Sequence, residues 1–311
     1  MILASEQEET DGRNTSAPLP PCAFPLNEQL HGNPACQNNV PVASGDGQWR
    51  TFRSGAQILV VVAHPDDEVV GAGALLAELS EVSLLHVTDG APKQMHDARK
   101  AGFATRQQYA RARRQELLAA MRLARIAPER SVAFDITDQE ASFNLIALAH
   151  RMAETLRSLR PQIILTQPYE GGHPDHDATA FAVRAACRLL ARDGVAPPAV
   201  FEMTAYHIKQ GEICAFEFLP RSGCTVHTRW LTAEARTLKT GMIGCYQTQQ
   251  ETLRAFPVLL ERVRPAPHYD FTSPPHAGRL FYEHFDWGVT GQQFCRLACE
   301  ALDSLGFKDG L

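Results

Sequence analysis

The sequence predicts an α/β fold: a Rossmann-like, mostly parallel sheet with helices on both faces, followed by a less regular C-terminal region. Three observations carry that expectation. Apolar runs of strand length recur at Ala56–Ala63, Val82–Thr88, Ser131–Phe134 and Gln162–Thr166. Each leads through a polar loop into a stretch with helical spacing of its apolar residues, and strand, loop and helix repeated four times is the pattern of a sheet covered by helices. The first and the last of these strands also end in loops rich in His and Asp, at the carboxyl edge where ligands sit in such sheets.

The elements follow in order. The strand 56–63 runs through His64-Pro65-Asp66-Asp67-Glu68 into a helix over Val69–Leu79. Gly71 and Gly73 in that helix are too few for a dinucleotide loop, and acidic residues stand where phosphates would lie; small residues there let the helix approach the sheet. The strand 82–88 closes at Asp89-Gly90, and a long helix occupies Phe103–Leu123. A helix over Phe143–Leu159 stops near Pro161, and the strand 162–166 leads through Gly172-His173-Pro174-Asp175-His176 into a helix from about His176 to Ala191. Beyond it, Val200–Tyr206 and Ile213–Phe218 are expected to form an antiparallel pair, with helices at Ala233–Tyr246 and Gln292–Leu305. No internal repeat is present at solenoid periods.

Residues 1–50 differ in texture, with Pro18, Pro20, Pro21 and Pro25 among Asn, Gln and charged residues and no helical or strand period. They are expected to be an arm that is disordered or lies on the surface, leaving one main domain over 51–311. The chain has 311 residues, 44% hydrophobic and 21% charged, with net charge −5 and pI near 6.2. That balance suits a globular protein with a sizeable core and argues against a general nucleic-acid binder. No apolar run approaches the ~18 residues of a membrane span, and the N-terminus lacks the basic start and apolar core of a signal peptide. The expected location is the cytoplasm. The eight cysteines form no Cys-x-x-Cys pair; without an export signal they are expected to be reduced, Cys22 and Cys36 in the arm being the exception to watch.

The two loops carry the chemistry. Three carboxylates and an imidazole fall within five residues, and the carboxylates repel one another unless a cation compensates them. His64 and Asp67 are three apart at a helix start and share a face, and His173 and His176 repeat that spacing. Two ligands from one loop and one from the other leave a coordination position for water, the pattern of a catalytic zinc site, although Fe²⁺ and Mn²⁺ accept the same donors. Asp66 points elsewhere and is free to act as a base. The competing reading is that Asp66, Asp67 and Asp175 only cap helices; two such clusters at equivalent strand ends weigh against it.

Ala63-His64-Pro65-Asp66-Asp67-Glu68 together with His173-Pro174-Asp175-His176 resembles the PIG-L/LmbE-like zinc N-deacetylases, over about residues 56–250. The segment Lys239–Gln249 resembles the late Lys…His-x-Ser-Gln stretch of that family, with Tyr246 in the place of His and Thr248 in the place of Ser. The resemblance implies that His64, Asp67 and His176 bind Zn²⁺ (Fe²⁺ as the alternative), that Asp66 is the general base, and that His173, protonated, stabilises the oxyanion. Asp175 would modulate His173, and Glu68 would orient a ligand from behind. The implied reaction is attack of a zinc-bound water on an acetamide, releasing acetate and the free amine of an amino-sugar conjugate.

The same resemblance makes Arg113 the candidate for a substrate hydroxyl or phosphate and Asp138 the candidate for sugar hydroxyls; a solvated face and a helix cap are their plainer readings. His268, His276 and His284 are expected at the surface or in the core, and Phe281, Tyr282, Phe285 and Trp287 as packing for the C-terminal region, with sugar stacking as the lesser alternative. The expected partner is a small amino-sugar conjugate, with no nucleic acid and no membrane span; a homo-oligomer is compatible with the sequence. An amidase acting on a larger acyl or thiol conjugate, and a metal-containing sugar-binding module without catalysis, are the competing functions.

Overall fold

In the computed structural model, which describes residues 47–254, 256 and 258–311, the chain opens with α1 (Gly47–Phe52), whose Trp49 and Phe52 are buried. The arm expected at 1–50 therefore lies outside the described residues up to position 46, as do Cys22 and Cys36. There follow β1 (Ile58–Val62), α2 (Asp67–Leu76), β2 (Val82–Pro92), α3 (His96–Lys100), α4 (Arg106–Leu123), β3 (Ser131–Asp138), α5 (Leu145–Leu159), β4 (Ile163–Thr166) and α6 (Pro174–Arg192). Each of the four strands and helices anticipated in this half is present. Thr105 and Gln108 form a reciprocal capping box that starts α4 three residues later than the apolar spacing suggested.

The second half contains β5 (Ala199–Met203), β6 (Tyr206–Lys209), β7 (Glu212–Ala215), β8 (His227–Trp230), α7 (Ala233–Ile243), α8 (Gln250–Leu253), β9 (Leu260–Pro265) and α9 (Gly291–Leu305). Seven strands form one sheet in the order β3-β2-β1-β4-β5-β9-β8. The first five are parallel, while β9 runs antiparallel to both β5 and β8. The antiparallel pair expected from 200–206 and 213–218 is corrected on two counts. Residues 199–203 instead extend the parallel sheet beside β4. The hairpin is β6 with β7, closed by Gln210-Gly211, both at positive φ (55° and 85°) as a tight two-residue turn requires.

Alternation along β1 splits the core. Leu59 and Val61 pack with α5, α6 and α9 on one face, and Ile58, Val60 and Val62 with α2, α4 and α7 on the other. Gly71 explains how close α2 comes: a Cβ there would stand 2.6 Å from Met203 Sδ on β5. Among the described residues no helix is long and apolar enough to cross a membrane, and the six described cysteines are free. The sheet order changes direction at β1 and β4, so the loops after these neighbouring strands open into one crevice.

Candidate functional site

The loop after β1 and the loop after β4, about 110 residues apart in sequence, meet at that crevice. Ligand atoms of His64, Asp67 and His176 lie within 4.8 Å of one another, and so do those of His64, Asp138, His173 and Asp175. All six groups are buried or nearly so. They line a cavity of about 490 Å³ together with Asp66 and Arg113, Asp175 excepted.

His64 is the hub. Its Nδ1 is 3.2 Å from Asp67 Oδ2, and its Nε2 is 3.1 Å from Asp138 Oδ1 and 3.3 Å from Asp175 Oδ2. Burial disfavours a charged ring, but the Asp138 charge, with hydrogen bonds to all three carboxylates, outweighs it and raises the His64 pKa well above 6.5. Burial likewise pushes Asp67 up, and His176 and His64 beside it more than reverse this, so it stays ionised. The buried His176 Nε2 lies 3.3 Å from Asp67 Oδ1 and makes no hydrogen bond. A buried ring nitrogen without a hydrogen-bonding partner, facing a carboxylate and a second imidazole, fits a divalent cation with mixed nitrogen and oxygen donors.

Capping does not account for the acids. Asp66 is the residue before α2 but its side chain caps nothing. The N-cap of α6 is His173, not an acid: its Nδ1 accepts the Asp175 N–H at 3.1 Å. The Asp175 carboxylate instead accepts the N–H groups of Gln139 (2.6 Å) and Ala141 (3.0 Å), and so anchors the loop after β3. It lies 3.9 Å from His173 Nδ1 but 3.3 Å from His64, so its influence on His173 comes through its backbone.

The expectation of a protonated His173 is corrected. Burial and the neighbouring His64 hold its pKa well below 6.5. With Nδ1 accepting a backbone N–H, the neutral ring carries its proton on Nε2, which lies 3.8 Å from Asp138 Oδ1. It remains a donor, but an uncharged one.

Arg113 is also corrected. It is 4% exposed, and its guanidinium donates to Gly90 O (3.1 Å), Pro65 O (2.7 Å) and Asp66 Oδ2 (3.0 Å). It therefore holds the 64–66 loop and the Asp66 carboxylate instead of reaching for a substrate. Burial raises the Asp66 pKa to about 8, the Arg113 charge working against it. Asp138 lines the cavity but bonds His64, and the residue before the short turn 141–144 is Glu140, so Asp138 caps no helix.

Glu68 was expected to orient a ligand; it touches the Asp66 backbone instead. Fully buried, it accepts the Asp66 N–H at 3.1 Å and faces His86 Nε2 at 3.0 Å, both at Oε2, while Tyr246 donates its hydroxyl to Oε1. This gives Tyr246 a defined role. Asp66 itself sits at φ 133°, ψ −28°. The helix 233–243 that precedes Tyr246 is pinned by Lys239, whose Nζ is 3.0 Å from Glu261 on β9; the same carboxylate receives Ala74 N and Leu75 N of α2.

The sequence favours core packing over sugar stacking for the aromatics of residues 281–287, yet most of them line the cavity. Phe281, Phe285 and Trp287 line the cavity, with Tyr206 and Phe256. Of the expected packing aromatics, Tyr282 alone lies in the core away from the cavity, and none of His268, His276 and His284 lines it. The signal available was density of rings in residues 281–287, without any spacing that distinguishes a wall from a core.

Residues 59–187 match the family model described as PIG-L, GlcNAc-PI de-N-acetylase. The chain is 29% identical over 168 residues to 1D-myo-inositol 2-acetamido-2-deoxy-alpha-D-glucopyranoside deacetylase of Salinispora arenicola, covering 47% of this chain and 54% of that protein. It is 33% identical over 135 residues to the probable N-acetyl-alpha-D-glucosaminyl L-malate deacetylase 2 of Bacillus subtilis, covering 40% and 58%. The chain thus spans little more than half the length of these curated relatives. The solved structure of the A40926 pseudoaglycone deacetylase Dbv21 shares the fold, with TM-score 0.52 and 22% identity over 70% of this chain and 99% of that one.

Proposed function

We propose that the protein, whose residues 59–187 match the PIG-L family model, is a metal-dependent hydrolase removing an N-acetyl group from an N-acetylglucosamine-type conjugate. The observation that carries this reading is the convergence of His64, Asp67 and His176 while the Asp66 carboxylate stays outside that group, bound to Arg113 at the cavity. A module that only bound sugar would have no use for a buried carboxylate kept off the cluster. The names of the curated relatives, deacetylases of glucosaminyl-inositol and glucosaminyl-malate compounds, support the same substrate class.

His64, Asp67 and His176 would hold the ion, with zinc preferred by the donor set and Fe²⁺ the alternative. When bound, such an ion supplies Lewis acidity to a carbonyl oxygen and acidifies water. Asp66 takes the proton of the attacking water. Its raised pKa in the metal-free chain falls when a cation sits beside it, which ionises it near neutral pH. The Arg113 bond to Oδ2 fixes the carboxylate for that transfer. His173, neutral, donates its Nε2–H to the oxygen that gains charge as the carbonyl is attacked. Asp66 then returns its proton to the departing nitrogen, giving acetate and a free amine.

The test is acetate release from a panel of N-acetylglucosaminyl conjugates, inositol and malate among them, by zinc-loaded protein beside Asp66→Asn. Release that vanishes in the variant while zinc is retained supports the reading. No release from any conjugate at stoichiometric zinc would sink it.

A further inference from the structure

The family match ends at residue 187, but the cavity does not. Its outer wall is a chain of rings supplied by later residues. Trp287 stands 4.5 Å from the His173 ring, Phe285 stacks on Trp287 at 4.6 Å and 15°, and Phe281 follows at 5.0 Å. Tyr206 lies 5.4 Å from Phe281 and 5.3 Å from His176. The chain of rings thus starts at one site histidine and ends at another. Phe285 and Trp287 remain half-buried at the cavity, and apolar surface kept wet is unfavourable unless a ligand covers it. The cavity lining also includes polar side chains, Lys100, Gln247, Gln250 and Arg254 among them.

We propose that this wall is the aglycone subsite, and that the conjugate's non-sugar part carries an aromatic ring which packs on Phe285 and Trp287. The inference rests on the deacetylase reading and names its substrate class. A cavity of about 490 Å³ leaves room beyond one acetylated hexosamine. The methyl of an acetyl group meets one ring at most, whereas the wall extends across several rings. The aglycone is joined to the sugar carbon next to the one bearing the acetamide, so it is carried onto the wall when the amide lies at the histidines.

The decisive comparison separates binding from turnover. Zinc-loaded Asp66→Asn protein is titrated calorimetrically with phenyl and with methyl N-acetyl-β-D-glucosaminide, alone and with Phe285→Leu or Trp287→Leu added. The phenyl glycoside is expected to bind about tenfold more tightly, and either leucine variant to remove most of that advantage. Unchanged affinity for the methyl glycoside and unchanged zinc content in the leucine variants show that the site is still folded. Equal affinity for the two glycosides, or an advantage that survives both leucine variants, overturns the proposal. So does a gain that follows a longer N-acyl chain on the methyl glycoside instead of the aryl group. Zinc-loaded wild type that releases acetate from neither glycoside would count against the deacetylase reading, while the titrations still decide the wall.

Discussion

Replacing Tyr246 by Phe deletes one oxygen and leaves the ring in place, so its effect isolates the hydroxyl that serves Glu68. Glu68 is 0% exposed and accepts at both oxygens: Tyr246 on Oε1, Asp66 N and His86 on Oε2. Without the hydroxyl, Oε1 is left buried and unpartnered. A hydrogen bond to a charged group contributes about 1.5–3 kcal/mol, and stranding such an acceptor forfeits it. Burial and the Glu68 charge hold the tyrosine pKa well above 10, so the hydroxyl donates at every working pH. A loss of about 2 kcal/mol lowers Tm by roughly 3–4 °C in a domain of this size. The expected result is that shift in differential scanning calorimetry, together with a fall in kcat of about tenfold as the Asp66 backbone loosens. Zinc content should not change, because Tyr246 touches none of His64, Asp67 and His176. A Tm within 1 °C of wild type, by the ordinary precision of such scans, would refute the reasoning, since Glu68 would then not depend on this donor.

Asp66→Asn should keep its metal while acetate release falls at least about a hundredfold, the scale of a lost general base; His176→Ala should instead lose the metal by elemental analysis. In metal-free protein the folded Asp66 pKa lies above its unfolded value, about 8 against 3.8, so the folded state binds more protons between those limits and stability falls as pH rises through them. Denaturant unfolding at pH 6 and pH 8 should show a smaller drop for Asp66→Asn than for wild type; equal drops would contradict the assignment. A Cβ on Gly172 would lie 2.1 Å from the Tyr206 carbonyl oxygen, so Gly172→Ala should shift the His173 loop and lower both Tm and acetate release. Lys239→Met should destabilise by about 3–5 kcal/mol in urea unfolding, because it leaves the buried Glu261 carboxylate without its counter-ion, with only the Ala74 and Leu75 amides.

The central half of the fold was legible because its strands are apolar throughout and its loops carry clustered charge. β1, with five buried apolar residues in a row, leaves little choice of element. β8 and β9 were not legible. Leu260-Glu261-Arg262-Val263-Arg264 alternates charge with aliphatic residues, yet Glu261 and Arg264 are both buried. Arg264 bonds Glu170 (3.0 Å) and Glu202 (2.9 Å), partners 94 and 62 positions away. Pairing at that range leaves no local pattern. The same limit applied to the site. His64, Asp67, His173 and His176 could be placed from two short motifs, whereas the functions of Arg113 and Tyr246 depend on contacts with Asp66 and Glu68 that lie 47 and 178 positions away.

The backbone of Asp66 carries a consequence of its own. At φ 133° an L-residue is strained by roughly 1–3 kcal/mol, and nothing but glycine adopts such geometry freely. The strain is sustained by Glu68 on the amide and Arg113 on the carboxylate. The loop therefore holds its tension in the resting protein. It also means that stability and turnover compete at a single position: the residue whose replacement by glycine would most relax the chain is the one on which proton transfer is proposed to depend.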